Sequence, residues 1–288
     1  MDHKQRLRQA LNAPGIIKAP GVFDGLSTRL VENANFDVAF VSGAGIAFSR
    51  YGIPDIGLVS MSEVASTISA MREISQLPLL VDIDTGFGNA INTIRTVKVL
   101  ERAGATAMQM EDQLMPKRCG HMKGKQVVPA KEMVGKIKAF VDARASEDTL
   151  LIARTDALGV NGFDDALERA RQYVDAGADL LFIEAPKTIE QMQIIGKEFG
   201  DKIPLVHNLV EGGNSPVSNS ADTQDLNYKL ALYPVALLHG FIPKAQDLLN
   251  HIQQTGDTSS YQQPLWNLNQ INSLLNAEQM LAEADQYK

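Results

Sequence analysis

The chain has 288 residues, 44% of them hydrophobic and 21% charged, an ordinary balance for a globular protein with room for a large core. A formal net charge of -7 and a pI near 5.3 argue against nucleic acid and anionic membranes as partners. The single cysteine, Cys119, excludes an internal disulfide and fits a reducing, cytoplasmic setting.

The opening residues, Met1 to Leu7, are polar and lack the apolar core of a signal peptide. Residues 3–12 read as a short amphipathic helix with Leu7 and Leu11 on one face, stopped by Pro14-Gly15. A strand is expected at 16–19, a turn at 20–24, a helix at 25–34 and a strand at 38–41 ending in Ser42-Gly43-Ala44-Gly45. A long connection carries Tyr51-Gly52-Ile53-Pro54-Asp55, and Ser62 is expected to open a helix with Glu63 in its first turn. Leu79-Leu80-Val81 is an apolar run suited to a strand buried on both faces. It ends in Asp82 and Asp84, which alternation would place on one face, followed by the turn Thr85-Gly86-Phe87-Gly88.

The unit then repeats. Helices are expected at 92–103, 131–144, 164–176 and 189–199, with Gly104, Gly177 and Gly200 closing three of them. Strands are expected at 107–110, 150–153, 180–183, 204–207 and 230–233, and a last helix at 235–254. The run from Leu230 to Pro243 contains His239 and two prolines and is too short and broken to span a bilayer. About eight strand-helix units predict an α/β fold, a (β/α)8 TIM-type barrel over 1–256. Nearly every strand ends in a polar or glycine cluster: Ser42-Gly43, Asp82/Asp84, Glu111-Asp112, Arg154, Glu184, Asn208. In a barrel those ends converge on one mouth. Residues 257–288 form a C-terminal helical extension whose apolar stripe, Leu265 to Leu281, needs a surface to cover.

Two stretches carry chemistry. A lone strand-end Asp often caps the next helix; two in the 82–84 stretch, with a glycine turn behind them, suit a hard cation. The loop between Asp112 and Ala130 holds Lys117-Arg118-Cys119-Gly120-His121, then Lys123-Gly124-Lys125. Basic neighbours should lower the thiol pKa and favour a proton donor or nucleophile, and the glycines suit a lid. One cysteine cannot make a structural zinc site.

These stretches, with Glu111-Asp112-Gln113, Ala153-Arg154-Thr155-Asp156 and Asn208-Leu209-Val210-Glu211-Gly212-Gly213, resemble the isocitrate lyase and phosphoenolpyruvate mutase superfamily in collinear order. The resemblance implies a Mg2+ enzyme (Mn2+ as a possible substitute) and a homotetramer with a swapped C-terminal helix. It implies Asp84 as direct metal ligand, with Asp82 and Glu111 holding the ion or its waters. It implies Ser42, Gly43 and Ala44 as the turn binding an acid carboxylate, Asp55 as an acid near the metal, and Arg154, Glu184, Asn208 and Gly120 around the substrate. Cys119 matches the proton donor of the lyases, with Lys117, His121 and Arg154 offsetting charge.

The cysteine points away from phosphoenolpyruvate mutase itself and toward the cysteine-bearing subgroup of methylisocitrate lyase, 2,3-dimethylmalate lyase and petal death protein. His239 stands where methylisocitrate lyase carries an Arg for a further carboxylate. The implied reaction is cleavage of a 2-hydroxy di-acid to a 2-oxo acid and a carboxylate. Alternatives at this level are an oxaloacetate hydrolase, a carboxyphosphonoenolpyruvate-type phosphonomutase and a non-catalytic 2-oxo acid binder.

Overall fold

The computed structural model describes residues 1–118, 120 and 124–288. Eight parallel strands close into one barrel in chain order: β1 Ile17–Val22, β2 Ala39–Val41, β3 Leu79–Asp82, β4 Ala107–Glu111, β5 Leu150–Thr155, β6 Leu180–Ile183, β7 Leu205–Asn208 and β8 Leu230–Tyr233. The ring shuts where β1 pairs with β8, Ile17 opposite Leu230 and Pro20 opposite Tyr233. The helices are α1 His3–Asn12, α2 Gly25–Asn33, α3 Gly43–Ile46, α4 Met61–Ile74, α5 Ala90–Ala103, α6 Ala130–Ala143, α7 Phe163–Asp175, α8 Ile189–Phe199, α9 Ser220–Asp225, α10 Ala236–Thr255, α11 Leu268–Leu274 and α12 Ala277–Asp285. The expected (β/α)8 barrel is the fold observed.

Phe40, Leu80, Ile152, Phe182, Val206 and Leu232 fill the interior, and Leu7 of α1 is fully buried with them. Two other clusters lie between strands and helices, one around Val81, Met108 and Phe140, the other around Leu181, Ile195 and Leu205. Strands buried on both faces are what helices on the outside and packed side chains on the inside require. At the base, Gly104 ends α5 at φ 105°, a conformation that only glycine adopts cheaply, and its carbonyl accepts from the Arg72 guanidinium.

The local expectations are corrected at several points. β1 runs on to Val22 through the expected turn, where Gly21 is needed for contact: a Cβ there would lie 1.9 Å from the Pro234 carbonyl oxygen. Ser60, not Ser62, caps α4, because Glu63 three residues on completes a capping box. Gly200 closes α8 as expected, but at φ -58°: it makes room for Asn227 rather than supplying a left-handed turn. The short α9, capped by Asn219, was not foreseen.

The chain divides into two compact units, Met1–Leu237 and Leu238–Lys288. The first holds all eight strands; the second holds nearly all of α10 with α11 and α12. The expected boundary at 256/257 therefore falls inside the second unit. In that unit Phe241, Leu249, Leu268, Met280 and Leu281 expose apolar side chains. No helix among the described residues is long and apolar enough to cross a membrane.

Candidate active site

The carboxyl ends of β3, β4, β5, β6 and β7 deliver Asp82, Glu111, Arg154, Glu184 and Asn208 to one mouth. Asp82 is the last residue of β3, and its carboxylate lies over Gly43, where a Cβ would meet its Oδ2 at 3.0 Å. Asp84 stands beyond the strand at φ 47°, so strand alternation is not what orients it. Its turn is pinned instead by hydrogen bonds. Asp84 N–H donates to Asp82 Oδ1 (3.1 Å), Glu111 N–H to the Asp84 carbonyl (2.8 Å), and the buried Lys136 ammonium to the Thr85 carbonyl (3.1 Å). Gly43, Asp55, Asp82, Asp84 and Phe87 line one small cavity, so the acids do meet.

Lys117 brings a buried ammonium into this cluster, 2.5 Å from Asp55 Oδ1 and 2.8 Å from Asp84 Oδ1. Arg154 is the second cation. Its Nε lies 2.8 Å from Asp156 Oδ2 and 3.2 Å from Glu111 Oε2, its Nη2 lies 3.2 Å from Glu184 Oε2, and its guanidinium stacks on Phe182. Asn208 donates to Glu184 Oε2 at 2.9 Å. Gly120 lies against this group: a Cβ on it would be 2.6 Å from Arg154 Nη2 and 3.0 Å from Glu184 Cδ. Gly120 is thus on the same mouth, and the Leu114 N–H donates to the Gln126 carbonyl (2.8 Å). Cys119 and His121 lie outside the described residues.

The electrostatics follow from burial. Desolvation lifts Asp84 to about 7 against the pull of Lys117, and raises Asp82 and Glu111 as well. Burial would lower Lys117, but Asp84, Asp82, Glu111 and Asp55 hold it well above the usual lysine range. Asp156 goes the other way. Its burial is outweighed by Arg154 and Lys125, which bring it to about 2.

Ser42, expected to bind a carboxylate, caps α3: its hydroxyl accepts from Gly45 N–H at 3.0 Å. Gly43 and Ala44 are the first residues of that helix, where N–H groups lack intrahelical acceptors. Two residues were missed as site residues. Asp156 grips Arg154 through two oxygens, and Lys125 bridges Asp156 Oδ1 and the Gly120 carbonyl at 2.6 Å each. Asp156 stood in the quoted Arg154-Thr155-Asp156 run, which was its only signal.

The donor set suits a hard divalent cation. Three acids whose pKa desolvation raises need positive charge, and among the described residues the buried Glu111 Oε1 has no hydrogen-bond partner. Among the described residues no three such side chains already stand as a metal cage.

Comparison with known proteins gives a consistent picture. A family model described as phosphoenolpyruvate phosphomutase matches residues 7–233. A 2,3-dimethylmalate lyase of Eubacterium barkeri is 37% identical over 282 residues, 97% of this chain and 96% of that protein. A 2-methylisocitrate lyase of Aeropyrum pernix is 41% identical over 250 residues, 87% of this chain and 80% of that protein. The crystal structure of a phosphonopyruvate hydrolase complex with oxalate and Mg2+ superposes with a TM-score of 0.89 at 30% identity, covering 100% of this chain and 99% of that one.

Proposed function

The chain belongs to the phosphoenolpyruvate phosphomutase family, within which it is a carbon–carbon lyase, and on that premise we propose that it cleaves a 2-hydroxy di-acid of the dimethylmalate or methylisocitrate kind in a Mg2+-dependent reaction. The observation that carries this reading is the facing of two charged groups across one mouth: the acids Asp55, Asp82, Asp84 and Glu111, and the guanidinium of Arg154. Asp84, with Asp82, Glu111 and Asp55, would hold the divalent cation, with Mn2+ as a substitute. When bound, that cation supplies Lewis acidity toward a substrate oxygen.

The chain's own residues do the rest. Arg154 binds a substrate carboxylate in a position fixed by Asp156 and Phe182. The N–H groups of Gly43 and Ala44 and the Ser42 hydroxyl proton bind the carboxylate next to the 2-hydroxyl. Glu184 and Asn208 wall the far side, joined to each other at 2.9 Å. The 2-hydroxyl proton passes to water, C2–O becomes a carbonyl and the C2–C3 electron pair goes to C3, next to its carboxylate. Cys119 gives C3 its proton. Lys117 and His121 offset the charge that develops, and Gly120 closes the mouth over Arg154 and Glu184. The exposed apolar residues of the second unit support a homotetramer in which that unit lies on a neighbouring subunit. A lone reduced thiol suits the cytoplasm.

A screen of 2-hydroxy and 2-oxo di-acids with Mg2+, reading 2-oxo acid release through a coupled dehydrogenase, tests the reaction. Cys119→Ser tests the proton donor. Mg2+ and 2-oxo acid binding stay, and turnover falls at least ~100-fold, the loss expected for a general acid. Near-normal turnover removes Cys119 from the chemistry.

A further inference from the structure

At the mouth, the described residues include six acids, Asp55, Asp82, Asp84, Glu111, Asp156 and Glu184, against three cations, Lys117, Lys125 and Arg154. The cations divide five of these acids between them, Asp82 being the sixth. Arg154 and Lys125 serve Asp156, Glu111 and Glu184. The Lys117 ammonium serves Asp55 and Asp84, and it is 3% exposed, out of reach of bulk counter-ions. Its side chain reaches the cluster from the segment that follows β4, not from a strand, so it can leave without disturbing the barrel.

Asp84 Oδ1 is the oxygen that matters. Lys117 Nζ lies 2.8 Å from it. A Mg2+-sized ion takes a carboxylate oxygen at about 2.0–2.1 Å and demands near-octahedral surroundings. An ammonium and a divalent cation on the same oxygen repel strongly in a site shielded from water. They are alternatives.

Resting on the reading of Asp84 as metal ligand, we infer that Lys117 is a resident counter-ion of the acid cluster that competes with the divalent metal for Asp84, and that metal binding drives its ammonium off that carboxylate. The side chain thereby has two duties in sequence. It keeps four close acids from repelling one another, and it sets how much metal is needed to load the site.

The test uses the full chain stripped by chelator and titrated with Mn2+ at pH 8, free Mn2+ being read by its electron paramagnetic resonance signal. K117Q removes the charge and keeps a polar chain; K117R keeps the charge; D84N removes the shared oxygen's charge. K117Q is expected to bind Mn2+ at least tenfold more tightly than wild type, K117R within about threefold of wild type, and D84N to lose the site. Equal or weaker binding by K117Q, with D84N inactive in binding, overturns the competition and leaves the metal reading standing. Undiminished binding by D84N overturns the metal reading, and the inference with it.

A second measurement needs no variant. Lys117 in wild type, treated briefly with a water-soluble acetylating ester and read by peptide mass spectrometry, is expected to gain acetylation at least fivefold when Mn2+ saturates the site, relative to Lys131. No gain overturns the inference.

Discussion

The two ends of the barrel handle buried charge in opposite ways, and two glutamates make the contrast plain. At the base, Glu101 of α5 accepts from the Lys4 ammonium, the Thr149 hydroxyl and the N–H groups of Ala145 and Ser146. Burial works against its charge, but these donors win and its pKa lies below the ordinary value. At the mouth, Glu111 has Arg154 near one oxygen and, among the described residues, no hydrogen-bond partner on the other, and its pKa lies well above the ordinary value. The base also satisfies backbone with side chain, as where Arg72 donates to the carbonyls of Gly104, Ser75 and Leu77. The mouth instead keeps Asp84 and Ala185 in left-handed backbone, and among the described residues Asn208 Oδ1 has no partner. One end is arranged to hold the ring together; the other is held in tension that, on the proposed function, a substrate and a cation would relieve.

Substitutions at each end should therefore separate activity from stability. Asp84→Asn removes a charge that burial already disfavours. Turnover is expected to fall at least ~1000-fold, about 4 kcal/mol of transition-state stabilisation. The melting temperature of the metal-free protein should hold or rise. Glu101→Gln does the reverse. An amide oxygen cannot satisfy the donors that converge there, and stability is expected to fall by about 2 kcal/mol in urea unfolding, with kcat unchanged. A fall in melting temperature for the first variant, or in kcat for the second, breaks the comparison.

How much of this was legible in the sequence follows the same division. Strand ends are local features, so Asp82, Glu111, Arg154, Glu184 and Asn208 could be read from apolar runs closing in polar residues. That they share a mouth needed only the count of eight. Asp55 lies in an irregular stretch and was reached by resemblance; its ion pair with Lys117 depends on ring closure, which no spacing encodes. Lys125 is lost among other basic loop residues until Asp156 is placed beneath it. Ser42 shows a different limit. Its hydroxyl looked like a ligand group, yet a Ser before a helix has a backbone N–H to serve first, and α3 was not anticipated. Gly200 does close α8, but glycine has two uses, and only the position of Asn227 says that room, not a left-handed turn, is the one that applies.

The last expected effect concerns pH, where the mouth and the barrel wall pull against each other. His207 of β7 is buried; its Nε2 meets the Ser215 hydroxyl at 2.7 Å, its ring stands edge-on to Tyr228, and among the described residues its Nδ1 has no partner. Burial lowers its pKa from 6.5 to about 4. Between those values the unfolded chain binds a proton that the folded chain does not, so stability is lost as pH falls through this window and is unaffected above it. From pH 7 to pH 5 the loss is about 2 kcal/mol, since one unit is worth about 1.4. Asp84 has the opposite sign. Its folded pKa of about 7 lies above the ordinary 3.8, so the folded chain takes the proton first and gains stability as pH falls from 7 toward 4. The wild type alone would show only the balance of the two. Urea unfolding at pH 7 and pH 5 should separate them: His207→Asn loses less stability on acidification than wild type, by about 2 kcal/mol, whereas Asp84→Asn loses more. Parallel pH slopes for all three proteins would mean that neither buried group titrates as its surroundings require.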